Sequence, residues 1–224
     1  MLLTISGVMP KPQLERVRQL LQRAEFKDGK LSAGMEAQRV KNNEEMVQDA
    51  GLYSALNNLV MGCLVQHPVY QQAVLPARVA APYYARYTEG MRYGDHIDDP
   101  VMGSGSDRYR SDVSTTVFLS APDEYDGGEL VIRSNFGEHA IKLAAGDAVV
   151  YPSSSLHHIN AVTRGARLVA VTWAQSLVRD PNQRELLYQL CQAREKLLRE
   201  KPEAEETAWV SNSYANLVRM WAEV

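Results

Sequence analysis

The sequence predicts an α+β protein in which helical segments at both ends of the chain enclose a central run of short strands. Three observations predict it. Between Pro76 and about residue 178, short β-rich stretches recur, separated by Gly, Asp, Asn and Pro, as in a sandwich or barrel of short strands. Before that run, and again after Arg179, apolar residues fall at helical spacing. At 224 residues the chain is long enough for one sizeable domain with an appendage.

Taken in order, residues 1–8 read as a strand, and Pro10 and Pro12 open a helix whose stripe is Leu14, Val17, Leu20, Leu21 and Ala24. Lys27-Asp28-Gly29-Lys30 reads as a turn, and residues 31–43 are weakly patterned, fitting either strand or loop. A second helix is expected from about Gln48 to Gln66 through Leu52, Leu56, Leu59, Val60, Cys63 and Leu64. His67-Pro68 ends it, because a residue before proline avoids the helical region. Strands are expected near 77–87, 92–98, 111–120, 129–133, 138–143, 147–151, 155–162 and 166–174, with turns at Tyr125-Asp126-Gly127-Gly128 and Ala145-Gly146-Asp147. Asp180-Pro181 starts a helix with Leu186, Leu187, Leu190, Cys191, Leu197 and Leu198 on one side. Lys201-Pro202 breaks it, and residues 205–222 form a last helix with Trp209, Leu217, Val218 and Trp221. A helical hairpin of this size cannot bury its stripe alone, so it packs on the β core or on a second subunit. The chain thus divides into 1–76, 77–178 and 179–224.

Bulk properties exclude several classes. Net charge is −3 with no long basic run, which disfavours a general nucleic-acid or anionic-membrane binder. The two cysteines, Cys63 and Cys191, lie in helical apolar patterns and form no CxxC pair, so they read as buried small side chains rather than a zinc knuckle or dithiol. Met1-Leu2-Leu3-Thr4-Ile5 lacks a basic flank, and no stretch is long enough to span a bilayer. The expectation is a soluble protein of the reducing cytoplasm, with no nucleic-acid or membrane partner.

The most informative stretch runs from Tyr87 to Arg167, centred on His96-Ile97-Asp98. An imidazole and a carboxylate two residues apart project from one face of an extended segment. One more histidine from a distant strand would complete a two-histidine, one-carboxylate face with open positions opposite, a donor set suited to non-haem Fe(II) oxygen chemistry. His157 and His158 are both available, and as strand neighbours they point to opposite faces. Asp95 and Asp99 fall on the other face or past the strand end, and His67 and His139 lack ligand-spaced partners.

The ordered set carries a family resemblance. The run from Arg86 to Asp98 with Tyr87-x-x-Gly90-x-x-Tyr93, the Gly127-Gly128-Glu129-Leu130 turn, and His157 through Arg167 resemble the prolyl/lysyl-hydroxylase branch of the Fe(II)/2-oxoglutarate dioxygenases. Lys27-Asp28-Gly29, Val40-Lys41-Asn42-Asn43 and the C-terminal helical hairpin are similar to the bacterial PKHD-type hydroxylases, some of which are described as iron-uptake factors. The resemblance implies a double-stranded β-helix (jelly-roll) core, bound Fe(II), 2-oxoglutarate as cosubstrate and ascorbate dependence. It implies that His96, Asp98 and His157 are the metal ligands, His157 being chosen over His158 by the family spacing to the basic residue. Arg167 matches the residue that anchors the far carboxylate of 2-oxoglutarate, and Tyr87 a tyrosine that assists it.

The implied activity is hydroxylation of a C–H bond with release of succinate and CO2, linked to iron uptake or homeostasis. The substrate, small molecule or peptide, is not fixed. A non-catalytic iron/2-oxoglutarate sensor on the same fold is the alternative; a cupin-type isomerase is weaker, because its histidine-rich cluster is missing. Lys41, Asn42, Asn43, Arg108 and Arg110 are candidates either for a pocket lining or for a solvated face. Trp209, Met220 and Trp221 mark the C-terminal helices as the candidate surface for a homo-oligomer.

Overall fold

The computed structural model describes residues 1–224. Four short strands belong to the N-terminal part: β1 (Leu3–Ile5), β2 (Phe26–Asp28), β3 (Lys41–Asn42) and β4 (Glu44–Met46). Thirteen follow: β5 (Pro76–Val79), β6 (Tyr83–Tyr87), β7 (Arg92–His96), β8 (Val101–Met102), β9 (Tyr109–Arg110), β10 (Val113–Phe118), β11 (Tyr125–Gly127), β12 (Leu130–Ser134), β13 (Gly137–Ile141), β14 (Ala148–Pro152), β15 (His157–Ile159), β16 (Val162–Gly165) and β17 (Arg167–Ser176). The helices are α1 (Lys11–Leu21), α2 (Ala50–Gln66), α3 (Pro68–Val74), α4 (Pro181–Glu200) and α5 (Glu205–Trp221).

The strands build a jelly roll of two facing antiparallel sheets. The larger runs β1-β14-β10-β17-β6-β4-β2, with β5 also on β17; the smaller runs β13-β12-β15-β7-β3. Two-stranded ribbons β11-β16 and β8-β9 lie beside them.

Alternation sorts the large sheet into two interiors. Val117, Ala148, Val150 and Ala170 face outward into a core shared with Leu14 and Val17 of α1 and Leu56, Val60 and Leu64 of α2. Their neighbours Phe118, Val149 and Val169 face inward against Leu130, Ile132 and Ile159 of the small sheet. A sheet covered on both faces reads as continuous burial rather than as an alternating pattern, and all six residues of β10 are buried.

Several boundaries differ from the sequence expectation. Lys27 and Asp28 end a strand that pairs with β4, rather than sitting in a free turn. The expected strand at 77–87 is interrupted before Tyr83, and the one at 155–162 separates into β15 and β16. The helix stop at His67-Pro68 holds, but proline then serves as the first residue of α3, where its missing N–H costs nothing. Residues 31–43 hold short 3₁₀ turns and β3. Most consequential, β7 ends at His96, so Asp98 lies outside the ladder.

Asp49 and Asp180 cap α2 and α4 by accepting two backbone N–H groups each. The α4–α5 hairpin packs on the rest of the chain through buried Arg184, which donates to the Val178, Arg179 and Asp112 carbonyls. Arg110, joined to Asp112 and Glu223, fastens the chain after α5 at the same end. No helix is long and apolar enough to cross a membrane.

Candidate metal centre and cosubstrate cavity

A cavity of about 560 Å³ opens between the sheets, and the inward positions of the ladders line it: Tyr83, Ala85 and Tyr87 of β6, Arg167, Val171 and Trp173 of β17, and His157 and Ile159 of β15. On β7 both Tyr93 and His96 face inward, which simple alternation forbids for residues three apart. The register explains it. His157 pairs with His96 and Ile159 with Tyr93, so two steps along β15 match three along β7. That extra residue is a β-bulge, which re-aims a side chain. Gly94 sits in it, and a Cβ there would come 2.9 Å from the Val40 Cβ, so the close approach of the β3 edge requires glycine.

His96, Asp98 and His157 converge, with one donor atom from each lying within 4.8 Å of the others. The Asp98 Oδ1 is 3.9 Å from His96 Nε2 and 3.8 Å from His157 Nε2. Each imidazole is oriented by its other nitrogen: His96 Nδ1–H donates to the Gly94 carbonyl at 2.8 Å, and His157 Nδ1–H to the Ser155 carbonyl at 2.9 Å. That tautomer leaves both Nε2 lone pairs facing Asp98, the arrangement metal-binding histidines use. Stacking adds rigidity, since the Tyr93 ring lies 3.7 Å from the His96 ring at 12°. Burial and the neighbouring His157 lower the His96 pKa below its ordinary value, which keeps the imidazole neutral. Two imidazoles and one carboxylate at this spacing fit a divalent iron.

His158 points away. It meets Asp95 at 2.9 Å and Asn160 at 3.2 Å on the outer face, where Asp95 also pairs with Arg133.

Arg167 is 1% exposed and forms no ion pair, and its Nε has no hydrogen-bond partner. Its guanidinium lies 5.1 Å from the Tyr87 ring centroid and 5.5 Å from that of Phe118. Tyr87 stands beside it across the β6–β17 ladder. Burial pushes the Tyr87 phenol up to about 12, against the pull of Arg167, so it stays a neutral O–H donor. A buried cation among aromatic rings with no protein carboxylate has the chemistry to receive a ligand carboxylate. Arg164, close in sequence, is instead an exposed arginine paired with Asp126.

Of the other pocket candidates, Lys41 and Asn43 line the cavity, Lys41 in a buried ion pair with Glu45. Asn42 and Arg108 are exposed, and Arg110 serves the C-terminal attachment, so these three stand outside it. Sequence reasoning missed Ser114, whose hydroxyl donates to Asp98 Oδ2 from the opposite sheet, and Ser153 behind it at 2.8 Å. A serine in a strand that also carries Thr115 and Thr116 gives no local signal of such a role.

A jelly roll with this donor set beside an unpaired buried arginine defines the class of Fe(II)/2-oxoglutarate oxygenases. Residues 82–175 match the 2OG-Fe(II) oxygenase superfamily, and residues 182–223 match the PKHD-type hydroxylase C-terminal domain. A PKHD-type hydroxylase of Thioalkalivibrio sulfidiphilus is 52% identical over 224 residues, all of both chains. The chain belongs to the PKHD-type hydroxylases; it is an enzyme that uses Fe(II) and 2-oxoglutarate. Among solved structures, a Pseudomonas putida prolyl-4-hydroxylase shares the fold with a TM-score of 0.54 and 19% identity, covering 78% of this chain and 92% of its own. A Trichoplax adhaerens prolyl hydroxylase, in complex with a hypoxia inducible factor oxygen degradation domain peptide fragment, does so with a TM-score of 0.57 and 16% identity, covering 83% and 86%.

Proposed function

We propose that His96, Asp98 and His157 hold the iron and that Arg167, assisted by Tyr87, binds the far carboxylate of 2-oxoglutarate, in a dioxygenase that hydroxylates a substrate C–H bond. The observation that carries this reading is the pairing of a convergent two-imidazole, one-carboxylate cluster with a buried guanidinium that has no carboxylate partner, on the wall of the same cavity. When bound, the metal and cosubstrate supply the oxidant: O2 and 2-oxoglutarate become succinate and CO2, with one oxygen atom in succinate and the other in the hydroxylated product. The chain's own part is to orient and to exclude water. The backbone carbonyls of Gly94 and Ser155 aim the two imidazoles, and Arg167 and Tyr87 fix the acid's distant end.

Anaerobic Fe(II) with 2-oxoglutarate should give a visible charge-transfer absorption, and admitting oxygen should release succinate. His96→Ala and Asp98→Ala should abolish both, whereas His158→Ala should keep the absorption. Full succinate release by Asp98→Ala would overturn the ligand assignment.

The size of the cavity and its tyrosine and tryptophan lining support either a small molecule or a side chain on a peptide as substrate, and a prolyl hydroxylase of this fold is known with a peptide fragment. The resemblance to iron-uptake factors supports a role in iron homeostasis, with ascorbate as an auxiliary reductant. The family matches over 82–175 and 182–223 support the division into 1–76, 77–178 and 179–224. Two unpaired thiols, Cys63 and Cys191, support the reducing cytoplasm as its location. Trp209 and Met220, 60% and 73% exposed on α5, support a homo-oligomer through the C-terminal helices; Trp221 is partly buried and contributes less.

A further inference from the structure

We propose that Ser114, backed by Ser153, is the residue that positions the Asp98 carboxylate for the metal; the inference rests on the iron-site reading above. The starting point is a gap in the scaffold. His96 and His157 are strand residues held opposite each other in a ladder, but Asp98 comes after β7 has ended. Its backbone makes no strand pairing that would aim the side chain.

The aim comes from the opposite sheet. Ser114 lies on β10, between Tyr151 of β14 and Trp173 of β17, and is fully buried. Its Oγ bonds Asp98 Oδ2 and lies 2.8 Å from the Oγ of Ser153, which is 2% exposed. An ionised carboxylate can only accept, so Ser114 must give its single proton to Asp98 and accept the proton of Ser153. The two hydroxyls thus form a directed chain ending on the carboxylate, each bond polarising the next. Ser111 adds a backbone tether one residue on, its hydroxyl donating to the Asp99 carbonyl.

The consequence is a division of labour between the two carboxylate oxygens. Oδ2 is engaged by Ser114, while Oδ1 faces both histidine Nε2 atoms. Oδ1 is therefore the oxygen that Asp98 would present to a metal. Outer hydrogen bonds of this kind typically govern metal affinity 10–100-fold.

The test uses the full-length, chelator-treated protein titrated with Co(II) in the absence of 2-oxoglutarate, followed by visible absorption. Ser114→Ala should weaken Co(II) binding roughly 10–100-fold and alter the ligand-field bands as Oδ2 is released. Ser114→Thr, which keeps the hydroxyl, should restore most of the affinity, and Ser153→Ala should lose less than Ser114→Ala. The melting temperature of the metal-free variants separates this from plain structural support. A lowered melting temperature with Co(II) affinity within twofold of wild type in Ser114→Ala overturns the proposal. If Ser114→Ala does not fold, unchanged affinity in Ser153→Ala overturns it equally. Failure of the wild type to bind Co(II) would instead overturn the iron-site reading.

Discussion

Burying a guanidinium without an internal carboxylate destabilises the empty protein, because desolvation is repaid only when an anion arrives. Arg167 is in that position, with ring faces on two sides and an unpartnered Nε. Arg167→Met should therefore weaken 2-oxoglutarate binding about 100-fold or more, since a buried charged pair is worth roughly 2–5 kcal/mol to truncate. Its ligand-free melting temperature should hold or rise. Calorimetric titration and thermal scanning check the two halves, and a variant that binds 2-oxoglutarate normally would refute this role for Arg167. His96 gives a pH signature of opposite origin. Its folded pKa is lowered, chiefly by burial, so the folded state resists the proton that the unfolded chain accepts near 6.5. The contribution of His96 is complete above that value and is lost as pH falls below it. Metal-free protein should melt at progressively lower temperature from pH 7 to pH 5, and His96→Gln should flatten that slope.

At the level of elements, Arg167 opens β17 two residues after Gly165, which ends β16 in close contact with β11. There φ is +73°, and a Cβ would stand 2.1 Å from the Glu124 carbonyl oxygen. Gly165→Ala should cost about 1–3 kcal/mol of stability, read from denaturant midpoints, and should raise the KM for 2-oxoglutarate by displacing the neighbouring guanidinium. The convergence of His96 and Asp98 with a distant histidine was legible because iron chemistry demands particular side chains, but the residue types alone left His157 and His158 open, and only the family spacing chose between them. Helices α1, α2, α4 and α5 were legible from apolar periodicity and from Asp180-Pro181 and Lys201-Pro202. The bulge in β7, the short β8–β9 ribbon and the Ser114–Asp98 bond were not. A bulge is written in the pairing of two strands distant in sequence, and a serine beside two threonines looks the same whether or not its hydroxyl reaches a carboxylate. Helix α3 escaped because proline signals both a stop and a start.

The whole molecule separates support from chemistry. Helices α1 and α2 with the outer face of the large sheet make one interior, and the space between the sheets makes another that holds the site. Self-association belongs to this scale. Light scattering over a concentration series should show an assembly larger than one chain for wild type, and Trp209→Glu should shift it toward the monomer without loss of succinate release. A strictly monomeric wild type would remove the oligomer proposal. The supernumerary residue in β7 has a reach well beyond its own turn of chain. Because His96 shares a face with Tyr93 only through the bulge, drawing the segment out into a regular strand of the same length would turn the imidazole toward solvent. Side chains at the bulge can be exchanged more readily than the register of β7 against β15 can be altered.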